Sequence, residues 1–127
     1  GLYALDAWSG EVLWNAPAPD VCAGRALCNP GVSQAIAGIP GAVFAGGMDG
    51  WLRAHDSASG ALLWEFDTAR EFDALGGSKA RGGSMGGGAA PVFADGMVYV
   101  MTGYNLYFHM PGNVLLAFAI DGQPGGG

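Results

Sequence analysis

The chain carries a copy of part of itself. Leu2-Tyr-Ala-Leu-Asp-Ala-Trp-Ser-Gly-Glu-Val-Leu-Trp14 returns fifty positions later as Leu52-Arg-Ala-His-Asp-Ser-Ala-Ser-Gly-Ala-Leu-Leu-Trp64. The shared frame is Ala-x-Asp-x-x-Ser-Gly-x-x-x-Trp, filled by Ala4, Asp6, Ser9, Gly10 and Trp14, then by Ala54, Asp56, Ser59, Gly60 and Trp64. A degenerate third copy, Asn113-Val-Leu-Leu-Ala-Phe-Ala119, puts Ala119 at the Asp position and lacks the Ser-Gly-x-x-x-Trp half. A repeat of this length is one supersecondary unit that buries its apolar face only by stacking against a neighbouring copy.

Each copy reads as two antiparallel strands around a tight turn. Apolar and polar residues alternate in Trp51-Leu-Arg-Ala-His55, and β-rich residues resume at Leu62-Leu-Trp-Glu-Phe66. Between them the Asp carboxylate accepts from backbone amides just ahead, Ser does so more weakly, and Gly supplies the positive φ of the turn. The Trp four residues on then buries a large aromatic surface, which predicts Trp14 and Trp64 packed between neighbouring units. Further strands are expected at Ala42 to Ala45 and Met97 to Met101, joined by hairpins to the motif strands. The full reading places strands near 1–6, 11–16, 33–38, 42–47, 51–56, 61–67, 84–93, 97–102 and 113–119. Short strands, glycine turns and this period indicate an all-β chain built of β-propeller blades. A propeller has about 4 to 8 four-stranded blades, so the whole of 1–127 is expected to be a partial propeller of about two to two and a half blades. Its parts lie near 1–16, 33–68 and 84–122, a fragment of a larger ring.

Composition excludes several classes. Half the residues are hydrophobic and 13% are charged, which is not the signature of a disordered segment. Twenty-four glycines in 127 residues mark a turn-rich chain. A net charge of −6 argues against nucleic acid and against anionic membrane surfaces as partners. The longest apolar run, Val114 to Ile120, is too short to span a bilayer. No signal peptide opens the chain, so an export signal is expected outside it. Cys22 and Cys28 have no metal or haem spacing, which leaves a disulfide between them open.

The repeated frame resembles the tryptophan-docking motif of quinoprotein β-propellers, the pyrroloquinoline quinone (PQQ) dehydrogenase superfamily. Cys22-Ala-Gly-Arg-Ala-Leu-Cys28, Phe66-Asp-Thr-Ala-Arg70 with Gly82-Gly-Ser84, and Met110-Pro-Gly-Asn-Val-Leu-Leu-Ala-Phe118 are similar to the C-terminal part of its polyvinyl-alcohol dehydrogenase branch, with Gly125 to Gly127 a tail. The resemblance implies a PQQ cofactor on the propeller axis, commonly with Ca²⁺, whose ligands would come from outside this chain. It implies oxidation of a small-molecule or polymeric alcohol, a cytochrome c acceptor, and a periplasmic or secreted location. An oxidising compartment in turn favours the Cys22–Cys28 pairing. A partial propeller is expected to be inactive alone.

Axis-facing groups in this superfamily come from the innermost strand of each blade and the adjoining loops. Here those are Ser33, Gln34, Arg81, Gly82, Gly83, Ser84, Tyr104 and Asn105. The glycines would admit backbone to a flat cofactor, Arg81 would pair with a carboxylate, and Gln34, Ser84 or Asn105 would donate hydrogen bonds. The bland alternatives are a solvated Arg81, loop capping by the polar residues, and Tyr104 in packing. Gly76 to Gly88 matches neither phosphate-binding glycine pattern. His55 belongs to a strand surface or blade interface, and His109 to a loop with no adjacent carboxylate. Asp6, Asp49, Asp56 and Asp95 serve turns, Asp20, Asp67 and Asp73 stay unassigned, and the catalytic residue is expected outside the chain. Non-catalytic propeller scaffolds share the docking motif, so a protein-binding role is the alternative.

Overall fold

The computed structural model describes residues 1–87, 89–105 and 108–119. Thirteen strands lie among them: β1 (Leu2–Leu5), β2 (Val12–Ala16), β3 (Ser33–Gln34), β4 (Ala37–Ile39), β5 (Ala42–Gly46), β6 (Trp51–Asp56), β7 (Leu62–Asp67), β8 (Glu71–Asp73), β9 (Lys79–Arg81), β10 (Gly86–Gly87), β11 (Val92–Ala94), β12 (Met97–Thr102) and β13 (Val114–Ala119). The four-stranded antiparallel sheet β4-β5-β6-β7 is one full blade. The hairpin β1-β2 precedes it and the antiparallel sheet β11-β12-β13 follows it. The arrangement is a partial β-propeller. Residues 120–122 of the third blade part and the glycine tail lie outside the described residues.

The two copies of the frame fold into the same turn, bond for bond. Asp6 Oδ1 accepts from the amides of Trp8 and Ser9 at 2.9 and 2.8 Å, and Asp56 Oδ1 accepts from those of Ala58 and Ser59 at 2.8 and 2.9 Å. Ser9 Oγ accepts from the Glu11 amide and Ser59 Oγ from the Ala61 amide, both at 3.2 Å. Gly10 and Gly60 take φ values of 76° and 78°. These amide donors hold both Asp carboxyls below the usual carboxylate range, the Ser9 amide being the largest cause for Asp6 and the Ser59 amide for Asp56.

Docking across the blades follows from the same turn. Trp14 Nε1 donates to the Ser57 carbonyl at 2.9 Å, and its ring lies flat over Gly60, where a Cβ would sit 2.5 Å from Cε3. Gly60 is therefore needed twice, for its φ and for its bare face. Trp64 meets Phe118 of the next sheet edge-on at 5.2 Å, with Phe44 and Phe66 at 6.3 and 6.2 Å, but retains 37% exposure, so its expected burial is incomplete.

Three expectations are corrected. The spans 33–38 and 84–93 are each broken in two, because Ser33–Gln34 leaves its own sheet to pair in parallel with Gly86–Gly87. The glycine-rich stretch after β7 contains a β8-β9 hairpin, whose cross-strand pairs set Glu71 opposite Arg81 and Asp73 opposite Lys79. No tight hairpin joins β12 to β13. Eleven residues, 103–113, occupy the place that the four residues Gly47 to Gly50 fill between β5 and β6.

The core is small, with Leu52, Met85 and Val100 at its centre and Leu116 and Phe118 against it. Buried polar groups tie the sheets together instead. Asp49 and Arg53 form a buried ion pair at 2.7 Å, extended by Glu65 at 3.3 Å, so Asp49 is more than a turn residue. Thr68 Oγ1 shares a hydrogen bond with Thr102 Oγ1 at 2.8 Å and reaches the Gly50 carbonyl at 2.6 Å. Two acids left unassigned by sequence also cap backbone: Asp20 accepts from the Cys22 amide and Asp67 from the Ala69 amide.

Candidate functional site at the loop end of the sheets

Antiparallel order sends successive connections to opposite ends of a sheet. The turns 40–41 and 57–61 lie at one end. At the other lie Gly47 to Gly50, the entering segment 17–32, the segment 68–85 and the loop 103–113. Hydrogen bonds join these four. Met48 N donates to the Gly31 carbonyl, Thr68 N to Gly50, Met85 N to Gly47, and Ser84 N to Met110, at 2.8 to 3.0 Å. One end of the molecule is thus built of long loops on a rigid frame, where binding residues concentrate.

At its centre is the parallel pair β3-β10, with Ser33 opposite Gly86 and Gln34 opposite Gly87. Two short segments, one preceding β4 and one preceding β11, meet here. Gln34 is 5% exposed and its Oε1, lying against Gly46 and Met85, receives no hydrogen bond among the described residues. A Cβ at Gly86 would meet His109 Nε2 at 2.9 Å and Asn105 Oδ1 at 3.0 Å, so both side chains lean over bare backbone. A Cβ at Gly87 would meet nothing within 4 Å among the described residues.

The structure brings Ser33, Gln34 and Asn105 together around Gly86 and Gly87, two residues that sequence reasoning passed over. Their only sequence signal was the glycine run itself. His109 was noticed, but its approach to Gly86 spans 23 positions and no local pattern encodes it. Gly82, Gly83 and Ser84 are buried inside the loop frame. The Ser84 hydroxyl donates to the Met48 carbonyl at 2.6 Å and accepts from the Met110 amide at 2.8 Å. Gly82 has no room for a Cβ beside Thr68 and Thr102, nor has Gly83 beside Met110 and Pro111, so tight backbone packing accounts for both. Arg81 does not begin an inner strand. It ends β9, exposed, with its amide bonded to Asn113 Oδ1 at 3.0 Å. Tyr104 is 57% exposed, and Asn105 Nδ2 donates to the Ser84 carbonyl.

The segment from Cys22 to Cys28 is closed by a disulfide, and Ala23, Gly24 and Leu27 within it have positive φ. Arg25 Nη1 reaches Met110 Sδ at 3.8 Å, which sets this ring against the 103–113 loop. No group of three or more His, Cys, Asp or Glu that would hold a metal occurs among the described residues, and none of their helices is long and apolar enough to cross a membrane.

Known proteins resemble this chain in sequence. The chain is 43% identical over 134 residues to a polyvinylalcohol dehydrogenase of Pseudomonas sp. It is 45% identical over 136 residues to one of Sphingopyxis sp. (strain 113P3). Both matches take 97% of this chain but 21% of the relative, so the chain spans about a fifth of the length of these relatives. Over 68 residues, 53% of the chain and 10% of the relative, it is 35% identical to the quinohemoprotein alcohol dehydrogenase ADH-IIG of Pseudomonas putida. The family model for the outer membrane protein assembly factor BamB, a PQQ-repeat protein, matches residues 48–123. With its docking turns duplicated and more than half its length matched, the chain belongs to the PQQ-repeat family of β-propellers.

Proposed function

We propose that this chain is part of a PQQ-dependent alcohol dehydrogenase and supplies one wall of the cofactor site. The observation that carries the reading is the buried acceptor of Gln34, which no described residue fills, on a segment whose backbone pairs with Gly86–Gly87. A buried acceptor without a donor costs about 1 to 3 kcal/mol, which a ligand donor at that point offsets. Glycine backbone permits close approach of a planar ring. These residues fit the group. Gln34 and Asn105 orient it through their carboxamides, Ser33 adds a hydroxyl, and Arg81, exposed on β9 at the same end, is available to a carboxylate. PQQ held there would supply the two-electron oxidant for a hydride equivalent leaving the alcohol carbon, while the hydroxyl proton would pass to a base outside this chain. Calcium, by this reading, takes its ligands from other blades.

The 1–16, 33–68 and 84–122 parts are then consecutive blade segments of a longer ring, and a cytochrome c would serve as the electron acceptor. The Cys22–Cys28 disulfide supports an exported, periplasmic protein. A second reading, a non-catalytic scaffold, is favoured by the matched family description. Full-length protein reconstituted with PQQ and Ca²⁺ decides between them. Dye-linked oxidation of an alcohol supports the enzyme, and its absence together with failure to bind PQQ supports the scaffold.

A further inference from the structure

We infer that the Cys22–Cys28 disulfide is a thiol-sensitive clamp: exchange with a dithiol opens the ring 22–28 and loosens the hydrogen-bonded frame that holds β3 beside β10. The inference goes beyond the enzyme reading and needs no cofactor for its test.

Segment 17–32 runs from β2 to β3 with no strand or helix of its own, only the isolated bridge of Val32 with Gly47 at its end. Its order before that bridge centres on the crosslink. Within the ring Arg25 N donates to the Cys22 carbonyl at 3.0 Å and Cys28 N to the Arg25 carbonyl at 3.3 Å, while Asp20 caps the Cys22 amide. Ala23 and Leu27 hold φ of 51° and 60°, a region disfavoured for residues that carry a Cβ, and both side chains are exposed, so no burial offsets that cost. The covalent link between the flanking cysteines supplies the constraint. Opening it lets both residues relax to negative φ, and the ring changes shape.

Two ties carry the shape of the ring to β3 and β10. Just past Cys28, the Gly31 carbonyl accepts from Met48 N at 2.9 Å and Val32 bridges Gly47, directly before Ser33 and Gln34. From the ring itself, Arg25 Nη1 reaches Met110 Sδ at 3.8 Å. The ties meet at Ser84, whose hydroxyl donates to the Met48 carbonyl at 2.6 Å and accepts from the Met110 amide at 2.8 Å, and whose amide donates to the Met110 carbonyl at 2.9 Å. Ring, Met48, Ser84 and Met110 thus close a circuit around the entry to both strands. Its two-state element is the crosslink, closed or open.

Access suits exchange. Residues 23–27 are exposed, Cys28 is half-buried and Cys22 is buried, so an incoming thiolate meets Cys28 first. It attacks Cys28 Sγ, the S–S bond breaks, and Cys22 leaves as a thiolate that takes a proton. The second thiol of the reductant then displaces Cys28, which is protonated in turn. The protein gains two electrons and two protons, and the dithiol loses the same in closing to its own disulfide.

Hydrogen exchange of the full-length protein without cofactor, before and after treatment with dithiothreitol, tests the clamp. Alkylation mapped to Cys22 and Cys28 marks the reduced sample. Peptides containing Met48 and Ser84 should exchange about tenfold faster when it is reduced, the equivalent of one lost hydrogen bond, while those of the β6-β7 hairpin stay unchanged. Cys22→Ser/Cys28→Ser without reductant should match the reduced wild type, which decides alone if that variant does not fold. Arg25→Ala, with the disulfide intact, should speed the Ser84 peptide. Resistance of the folded protein to dithiothreitol, faster exchange confined to 20–28, or equal acceleration throughout β6-β7 overturns the clamp. PQQ binding enters none of these readouts, so the enzyme reading stands or falls separately.

Discussion

Replacing Gly60 by Ala tests how one blade is fastened to the next. The first cost is conformational: an L-residue at φ of 78° loses about 1 to 2 kcal/mol, partly offset by the lower entropy of unfolded Ala, for a net of about 1 kcal/mol. The second cost is the clash. The new Cβ would sit 2.5 Å from Trp14 Cε3 and 2.7 Å from Cδ2, and the indole must lift. That movement breaks the 2.9 Å bond from Nε1 to the Ser57 carbonyl, worth about 1 kcal/mol net. It also exposes some tens of Å² of apolar ring, worth about another 1 kcal/mol. Gly60→Ala should therefore destabilise by about 3 kcal/mol. In a Trp14→Ala background only the conformational cost remains, so the double-mutant cycle should show a coupling of about 2 kcal/mol. Urea midpoints of the four proteins, at constant m, measure it. Additivity within about 0.5 kcal/mol would refute the docking argument.

Other outcomes follow from the same geometry. Asp49→Ala leaves the buried Arg53 guanidinium with only half-exposed Glu65 and should cost about 3 kcal/mol or more in urea unfolding, whereas a loss under 1 kcal/mol would show the pair to be dispensable. Trp64→Ala should cost about 3 kcal/mol, the lower end for an aromatic site because Trp64 is partly exposed, and more than Trp51→Ala. The lowered pKa values of Asp6 and Asp56 mean that their turns stabilise the fold above the ordinary carboxylate range and lose that contribution as pH falls through it, below about 4. Melting temperature followed from pH 6 to pH 3 should fall over the lower part of that range and less so in Asp6→Asn/Asp56→Asn. The isolated 127-residue chain should self-associate, since Tyr3, Leu5, Val12 and Leu13 expose the outer face of β1-β2, and a monomeric gel-filtration peak would contradict this.

What the sequence revealed and what it hid have physical causes. The docking turn was legible because all its bonds fall within six residues of Asp6 or Asp56, so residue types at fixed spacing determine it. The Trp14 seat on Gly60 was half legible: the pattern named both residues but not the 2.9 Å bond to Ser57, which joins positions 43 apart. The β8-β9 hairpin was hidden because its strands are three residues each and charged, joined by backbone pairing and the Asp73–Lys79 ion pair rather than by an apolar stripe. The spans 33–38 and 84–93 hid the two-residue strands Ser33–Gln34 and Gly86–Gly87, because their parallel partners lie 53 positions apart. Only the assembled sheets bring Ser33 opposite Gly86 and the Asn105 and His109 side chains against Gly86. Ser84 looked like a ligand group because a hydroxyl in a glycine loop has no local sign of its use, and its partners Met48 and Met110 lie 36 and 26 positions away.

The central claim is that the β3-β10 strip lines a PQQ site, and cofactor affinity measures it most directly. Full-length protein is titrated with PQQ in the presence of Ca²⁺, alongside Gln34→Leu, Gly86→Val and the distant control Asp95→Asn. The valine side chain would occupy the space between His109 and Asn105, and the leucine removes the buried carboxamide. Saturable binding by wild type and the control, weakened about tenfold or more in both strip variants, is the predicted result, each decade being about 1.4 kcal/mol. Wild-type protein that does not bind PQQ, or strip variants that bind it as tightly as the control, would contradict the account.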